Sequence, residues 1–260
     1  MPGKDRRPPT IPADAPVGTA GAARPARRTL AGPRAEQRRR DLLRIARAVF
    51  AERGYEHTTT AEIAQRLGSS EATVFTYFPG KRALCLQVIA DWYAEVTTAM
   101  DAALQAALAE GRPLRAQFDA LVRTHLRLFL AQEPGMCALV LSEGRAKDHV
   151  LAAALPPLQR RYTAPLMDVL ARGQTSGELR TDLPLRLLRN LVLGPIEHLL
   201  WDAVAAGRPV DPQEIGPPLV EALWGLVRAP EAELAALRRL REELVASLAR
   251  VGHGTVDPEP

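Results

Sequence analysis

An all-α chain is predicted by three observations. Aromatic residues make up only 5% of the 260 positions, while Ala, Leu and Arg dominate, and these lose little rotamer freedom in a helix. Apolar residues recur at three- and four-residue steps through most of the chain. Pro or Gly stands at nearly every boundary between those stretches. The length admits one large domain or two modest ones, each able to bury a core.

Residues 1 to 33 are rich in Pro, Gly, Ala and Arg, without helical period and with almost nothing large to bury. Ordering such a segment would not repay its entropy, so a disordered arm is expected. The first forty residues carry ten Lys or Arg against Asp5, Asp14 and Glu36, a balance of +7 in a chain of net +4, which leaves the remainder at −3. A basic arm ahead of a near-neutral body suits attraction to nucleic acid, and equally suits a solvated tail. No stretch of about 18 uncharged apolar residues and no secretory h-region is found, so a cytoplasmic protein with no membrane partner is expected. Cys85 and Cys137 stand alone, as reduced thiols do.

From Glu36 the pattern is helical. Leu42, Ile45, Ala46, Val49 and Phe50 form one apolar face, and Gly54 stops the helix. Thr59 and Glu62 have the spacing of a capping box that opens a short helix through Leu67, ended by Gly68. Ser69 or Ser70 caps the next helix, which runs to about Phe78. Pro79-Gly80 then breaks the pattern before Lys81 starts a long helix. Further helices are expected at about 81–110, 114–131, 136–143, 149–173, 184–206, 212–228 and 231–250.

Two short helices across a tight turn make a helix-turn-helix if a small residue stands where they approach, a Gly-like residue turns the chain and an apolar residue fills the second helix. Ala64, Gly68 and Val74 meet those needs in order. The second helix of such a pair lies in the major groove. Ser69, Ser70, Thr73 and Thr76 are short donors for phosphates and bases, Phe75 offers an apolar face to thymine methyls or sugars, and Tyr77 can hydrogen-bond a phosphate. Thr59 and Thr60 stand at a helix N-terminus, where phosphates bind, and Lys81 adds a charge to the same backbone. Phe78 is assigned to the core.

The stretch from about Arg38 to Trp92 resembles the N-terminal DNA-binding domain of the TetR family of bacterial transcriptional regulators. Gly54-Tyr55 matches the family's glycine-aromatic pair, Thr58 to Thr60 its Thr-rich entry, and Phe75, Phe78 and Lys81 its Tyr-x-x-Phe with a following Lys. Phe75 departs from the usual Tyr, so Tyr77 is left to make the phenolic contact. Glu71 stands where many relatives have Lys, and two roles stay open for it: reading a cytosine amine or turning aside. The resemblance implies a homodimer on a pseudo-palindromic double-stranded DNA operator, acting as a repressor released by a small ligand. It divides the chain into the arm, a DNA-binding domain at 34–96, a ligand-binding and dimerisation domain at 97–228, and a C-terminal helix and tail at 229–260.

The body resembles the family in pattern only. The resemblance implies dimerisation through the last two long helices, with Leu187, Leu191, Ile196, Leu199 and Leu200 on one and Leu219, Leu223 and Leu226 on the other. Gly194-Pro195 is expected to kink the first of these, and Asn190 and His198 to be satisfied core or interface groups. A pocket between helices is expected from Phe118, Leu121, Phe129, Met136, Tyr162 and Met167, together with Leu104, Leu128 and Leu139. Its apolar, adaptable lining suits a hydrophobic effector. The segment from Gly173 to Trp201 is similar in pattern to the acyl-CoA-responsive branch of the family.

Enzyme signatures are missing: there is no phosphate-binding Gly-rich loop, no G-x-S-x-G and no H-E-x-x-H. The five histidines have no metal-ligand spacing with the cysteines, so no metal, cofactor or catalytic residue is expected. Two other readings stay open. One is a non-specific DNA-coating protein, against which the paucity of Lys and Arg between Ser69 and Tyr77 argues; the other is a helical enzyme with a site assembled from distant residues.

Overall fold

A computed structural model describes residues 32–132, 134–143, 149–206 and 210–230, with 237, 240–245 and 247–248 near the C-terminus. The expected arm lies outside them. So does most of the expected helix at 231–250, of which 240–245 are helical and exposed.

The described elements are α1 (Pro33–Arg53), α2 (Thr60–Arg66), α3 (Glu71–Tyr77), α4 (Lys81–Ala109), α5 (Leu114–Leu126), a π-helical continuation (Arg127–Gln132), α6 (Pro134–Glu143), α7 (His149–Tyr162), α8 (Ala164–Ser176), α9 (Leu185–Ala206) and α10 (Pro212–Val227). Among the described residues the extended pairing is a lone bridge of Leu179 with Arg228. It is flanked by Arg180 N–H to the Val227 carbonyl and Ala229 N–H to the Glu178 carbonyl, both 3.0 Å. This clasp ties the end of α10 to the end of α8.

Two details differ from the sequence expectation. Helix α1 begins at Pro33, because a proline at the first helical position loses no needed donor. The helix expected at 149–173 divides at Thr163, whose hydroxyl donates to the Gln159 carbonyl at 2.8 Å, and Pro165 then opens α8. Helix α9 continues through Pro195, whose side chain is solvent-exposed.

The head core is Leu42, Ala46, Val49 and Phe50 of α1 against Ile63 of α2, Val74 of α3 and Leu84 of α4, all fully buried. At seven residues each, α2 and α3 are too short to be stable alone, so burial holds them. Val74 is the buried residue of α3, and a fully buried valine contributes about 1.5–3 kcal/mol.

Helix α4 crosses the boundary expected at residue 96 without interruption, so it belongs to head and body alike. It packs on α5 and α7. Beside it, Arg47 of α1 donates to both carboxylate oxygens of Glu95 at 2.8 Å. A second link runs from α1 to α6. A Cβ on Gly135 would lie 2.4 Å from the Ala51 carbonyl oxygen, so the two backbones meet where only glycine fits. Gly135→Ala should therefore force α6 off α1 and cost about 1–3 kcal/mol, read as a lower midpoint of thermal unfolding.

Candidate nucleic-acid interface and effector cavity

The turn between α2 and α3 is built as the residue types require. Thr59 Oγ1 accepts from the Glu62 amide at 3.1 Å. The Glu62 carboxylate does not close the box; it pairs with Arg53 and Arg66, each at 3.1 Å. Gly68 turns the chain at φ +65°, a conformation that costs glycine nothing. Ser70 rather than Ser69 caps α3, its Oγ accepting from the Thr73 amide at 3.4 Å. The Ser69 amide instead donates to the Ala64 carbonyl.

Helix α3 thus has two faces. Val74 points inward with Phe78 beyond it, Thr73 and Tyr77 are half-buried at the flanks, and Ala72, Phe75 and Thr76 form the outward stripe. Phe75 is 45% exposed, unusual for a phenylalanine with a core available beside it. Ala72 went unnoticed in the sequence, although a small residue between Phe75 and Thr76 on this stripe permits close approach to a groove. Thr76 Oγ1 donates back to the Ala72 carbonyl at 2.9 Å, and Ser70 and Thr73 share a hydroxyl contact of 3.1 Å.

Glu71 turns aside. Its carboxylate accepts from Thr60 Oγ1 at 2.5 Å, pinning the start of α3 to the start of α2. Tyr77 packs its ring against the head core, so the contribution expected of it narrows to the hydroxyl. Lys81 is tethered inward. Its Nζ donates to the Tyr55 carbonyl at 2.9 Å and the Glu56 carbonyl at 3.4 Å, and lies 4.4 Å from the Tyr55 ring centroid. A free charge at this position was the expectation; the ammonium has found the carbonyls that follow α1.

In the body, three cavities adjoin around Tyr162. A mouth of about 580 Å³ lies between α7 and α9, with Arg160, Arg186, Arg189, Asn190 and Glu197 among its walls. A chamber of about 130 Å³ lies behind it, sharing Gln159, Tyr162 and Glu197 with the mouth and adding His125, Phe129 and Cys137. A slot of about 10 Å³ reaches Leu121, Val192 and Ile196. Of the residues expected to line a pocket, Leu121, Phe129 and Tyr162 do so. Phe118, Met136 and Met167 line none of these three. Phe118 is fully buried 5.4 Å from Trp224, in the contact of α5 with α10. Asn190, expected in a core or interface, is exposed at the mouth and accepts from Arg189 at 3.0 Å.

The seam expected between copies also changes. Leu223, Ile196 and Leu200 are buried within the monomer, whereas Leu187 and Leu226 are exposed and Leu191, Leu199 and Leu219 half-buried.

Burial holds the chamber's thiol, phenols and imidazole in their neutral forms. Burial pushes the Cys137 thiol up to about 12, with Glu197 adding to the effect. Burial likewise raises Tyr162 and Tyr93 well above the ordinary phenol range. His125 is stacked on Phe129 at 4.2 Å, and burial pushes it down to about 4. Neither of its ring nitrogens has a protein partner among the described residues. Each such orphan costs about 1–3 kcal/mol. No group of three or more potential metal ligands occurs among the described residues, nor any helix long and apolar enough to cross a membrane.

Residues 42–88 match the family model of the bacterial regulatory proteins of the tetR family, and residues 96–218 match that of the YsiA-like protein C-terminal region. The chain belongs to the TetR family. It is a DNA-binding transcriptional regulator, not an enzyme. Among curated relatives, the fatty acid metabolism regulator protein of Bacillus subtilis is 23% identical over 150 residues, 58% of this chain and 75% of that one. The HTH-type transcriptional repressor KstR2 of Rhodococcus jostii is 26% identical over 176 residues, 66% of this chain and 80% of the relative. Two solved structures share the fold. FadR of Bacillus halodurans has a TM-score of 0.64 at 20% identity, over 75% of this chain and 96% of its own. FadR of Bacillus subtilis in complex with stearoyl-CoA has the same score and identity, over 71% and 97%.

Three outcomes follow from the geometry. Phe75→Ala should weaken operator binding while leaving thermal stability within about 0.5 kcal/mol, as for other surface changes. Lys81→Ala should lower stability by about 1–3 kcal/mol. Melting curves and DNA titrations on the same preparations check both. The third concerns acid. Unfolded, the His125 imidazole takes its proton near pH 6.5, and folded only near 4. The unfolded state therefore binds more protons between those values, and stability falls as pH drops through that window. The loss is on the order of 3 kcal/mol, and His125→Phe should flatten that limb of the stability curve.

Proposed function

We propose that this regulator is a cytoplasmic repressor that binds a pseudo-palindromic operator as a homodimer and leaves it on binding an acyl thioester of coenzyme A. The observation that carries the effector class is the mouth with three arginines opening onto the aromatic chamber. Guanidinium groups suit the phosphates of a coenzyme, and the space behind suits an acyl group. That the FadR structure of Bacillus subtilis holds stearoyl-CoA supports the same reading.

The DNA-binding unit is residues 34–96, and 97–228 hold the effector and the dimer surface. Phe75 and Thr76 face the groove, and Ser69, Ser70, Thr73 and the Tyr77 hydroxyl meet phosphates and base edges. Thr59 and Thr60 offer the N-terminus of α2 to the backbone, and Lys81 positions α4 beneath the reading pair. Of the leucines expected in the dimer seam, Leu187, Leu191 and Leu199 of α9 with Leu219 and Leu226 of α10 are at least partly at the surface and form it.

Titration calorimetry with octanoyl-CoA and stearoyl-CoA tests the effector class. The Arg186→Ala, Arg189→Ala double variant should bind roughly 10- to 100-fold more weakly, the loss of a charged hydrogen bond or two. Wild-type protein that binds neither thioester at millimolar concentration would overturn the assignment.

A further inference from the structure

We infer that the inner chamber selects an acyl group carrying a neutral oxygen, a carbonyl or hydroxyl beyond the thioester, and that His125 is the specificity-determining residue. This deepens the acyl-thioester reading and rests on it. Helix α5 delivers His125 to the boundary of chamber and slot, 2% exposed, with both ring nitrogens lacking a protein partner among the described residues. A neutral imidazole has one donor and one acceptor. One face is taken by Phe129, stacked 4.2 Å away, and Tyr162 stands tilted at the flank of that stack, 5.8 Å from His125 and 5.9 Å from Phe129, so the two ring nitrogens on the edge are the groups left for a ligand.

The surroundings narrow the chemistry. A wholly saturated tail would fill the chamber and leave His125 as it found it, an orphan in a drier site. A carboxylate would enter beside Glu197, which lines the chamber from α9, and meet like charge. A carbonyl oxygen accepting from the imidazole N–H, or a hydroxyl donating to its bare nitrogen, satisfies the site without adding charge. Size points the same way. The chamber, at about 130 Å³, is the smaller space behind the mouth of about 580 Å³, which suits a short or folded acyl end rather than a long straight chain. Sites that hydrogen-bond a ligand oxygen reject the analogue lacking it far more strongly than apolar pockets reject a methylene.

The test compares octanoyl-CoA, 3-oxo-octanoyl-CoA and 8-hydroxyoctanoyl-CoA on the full chain by titration calorimetry. At least one oxygenated thioester should bind wild type ten-fold or more tightly than octanoyl-CoA. In His125→Phe, which keeps the stack on Phe129, that preference should fall to within two-fold while octanoyl-CoA affinity holds or rises. His125→Leu gives the same comparison should the phenylalanine variant fail to fold. Equal binding of all three by wild type would overturn the inference and leave the thioester reading intact, with a buried water as the partner of His125. A preference that survives both substitutions would also overturn it. If no thioester binds, the underlying effector reading falls and this inference with it.

Discussion

Everything in this molecule depends on how α1 is held. On one side it carries α2 and α3, neither long enough to be stable alone, through Ile63 and Val74 buried against Val49 and Phe50. On another it meets α6 so closely that Gly135 leaves no space for a Cβ. On a third, the Arg47–Glu95 pair fixes it to α4. The outward stripe of α3 has a defined position only because α1 is fixed by all three.

That arrangement gives the cavity mechanical access to the DNA-reading surface. Cys137 and Val140 of α6 are chamber walls, two and five residues beyond the glycine that touches α1. A ligand that binds differently to two positions of α6 must bias α1 as well, since close-packed contacts shift rather than stretch. The π-helical turn at Arg127–Gln132 stands between α5, which brings His125 to the chamber, and α6. Such turns recur at functional sites.

The head was legible in the sequence because its signals are local. Gly54 and Gly68 have positive φ, Thr59 caps α2, and Ala64 and Val74 are buried, all read from residues within one turn of each other. What failed there was side-chain choice among competing partners: Glu62 pairs with arginines and Lys81 goes to carbonyls, while of the two roles open for Glu71 the structure has the turn aside, to Thr60. The body was legible as helices but not as a cavity. His125, Gln159, Arg189 and Glu197 come from three helices far apart in the chain, and only packing brings them together. The split at Thr163 was in principle readable from Pro165, which favours the start of a helix. Apolar periodicity likewise cannot tell a monomer core from a dimer seam, and so Leu223 and Leu200 were placed on the wrong side.

Selection of bound sites from a random duplex library, with purified full-length protein at near-physiological salt, tests the central claim most directly. A dimeric sequence-specific regulator predicts an enriched inverted repeat, with half-sites about one helical turn or a multiple of it apart. Strong retention of DNA with no enriched sequence would contradict it, because the outward stripe of α3 would then be reading nothing.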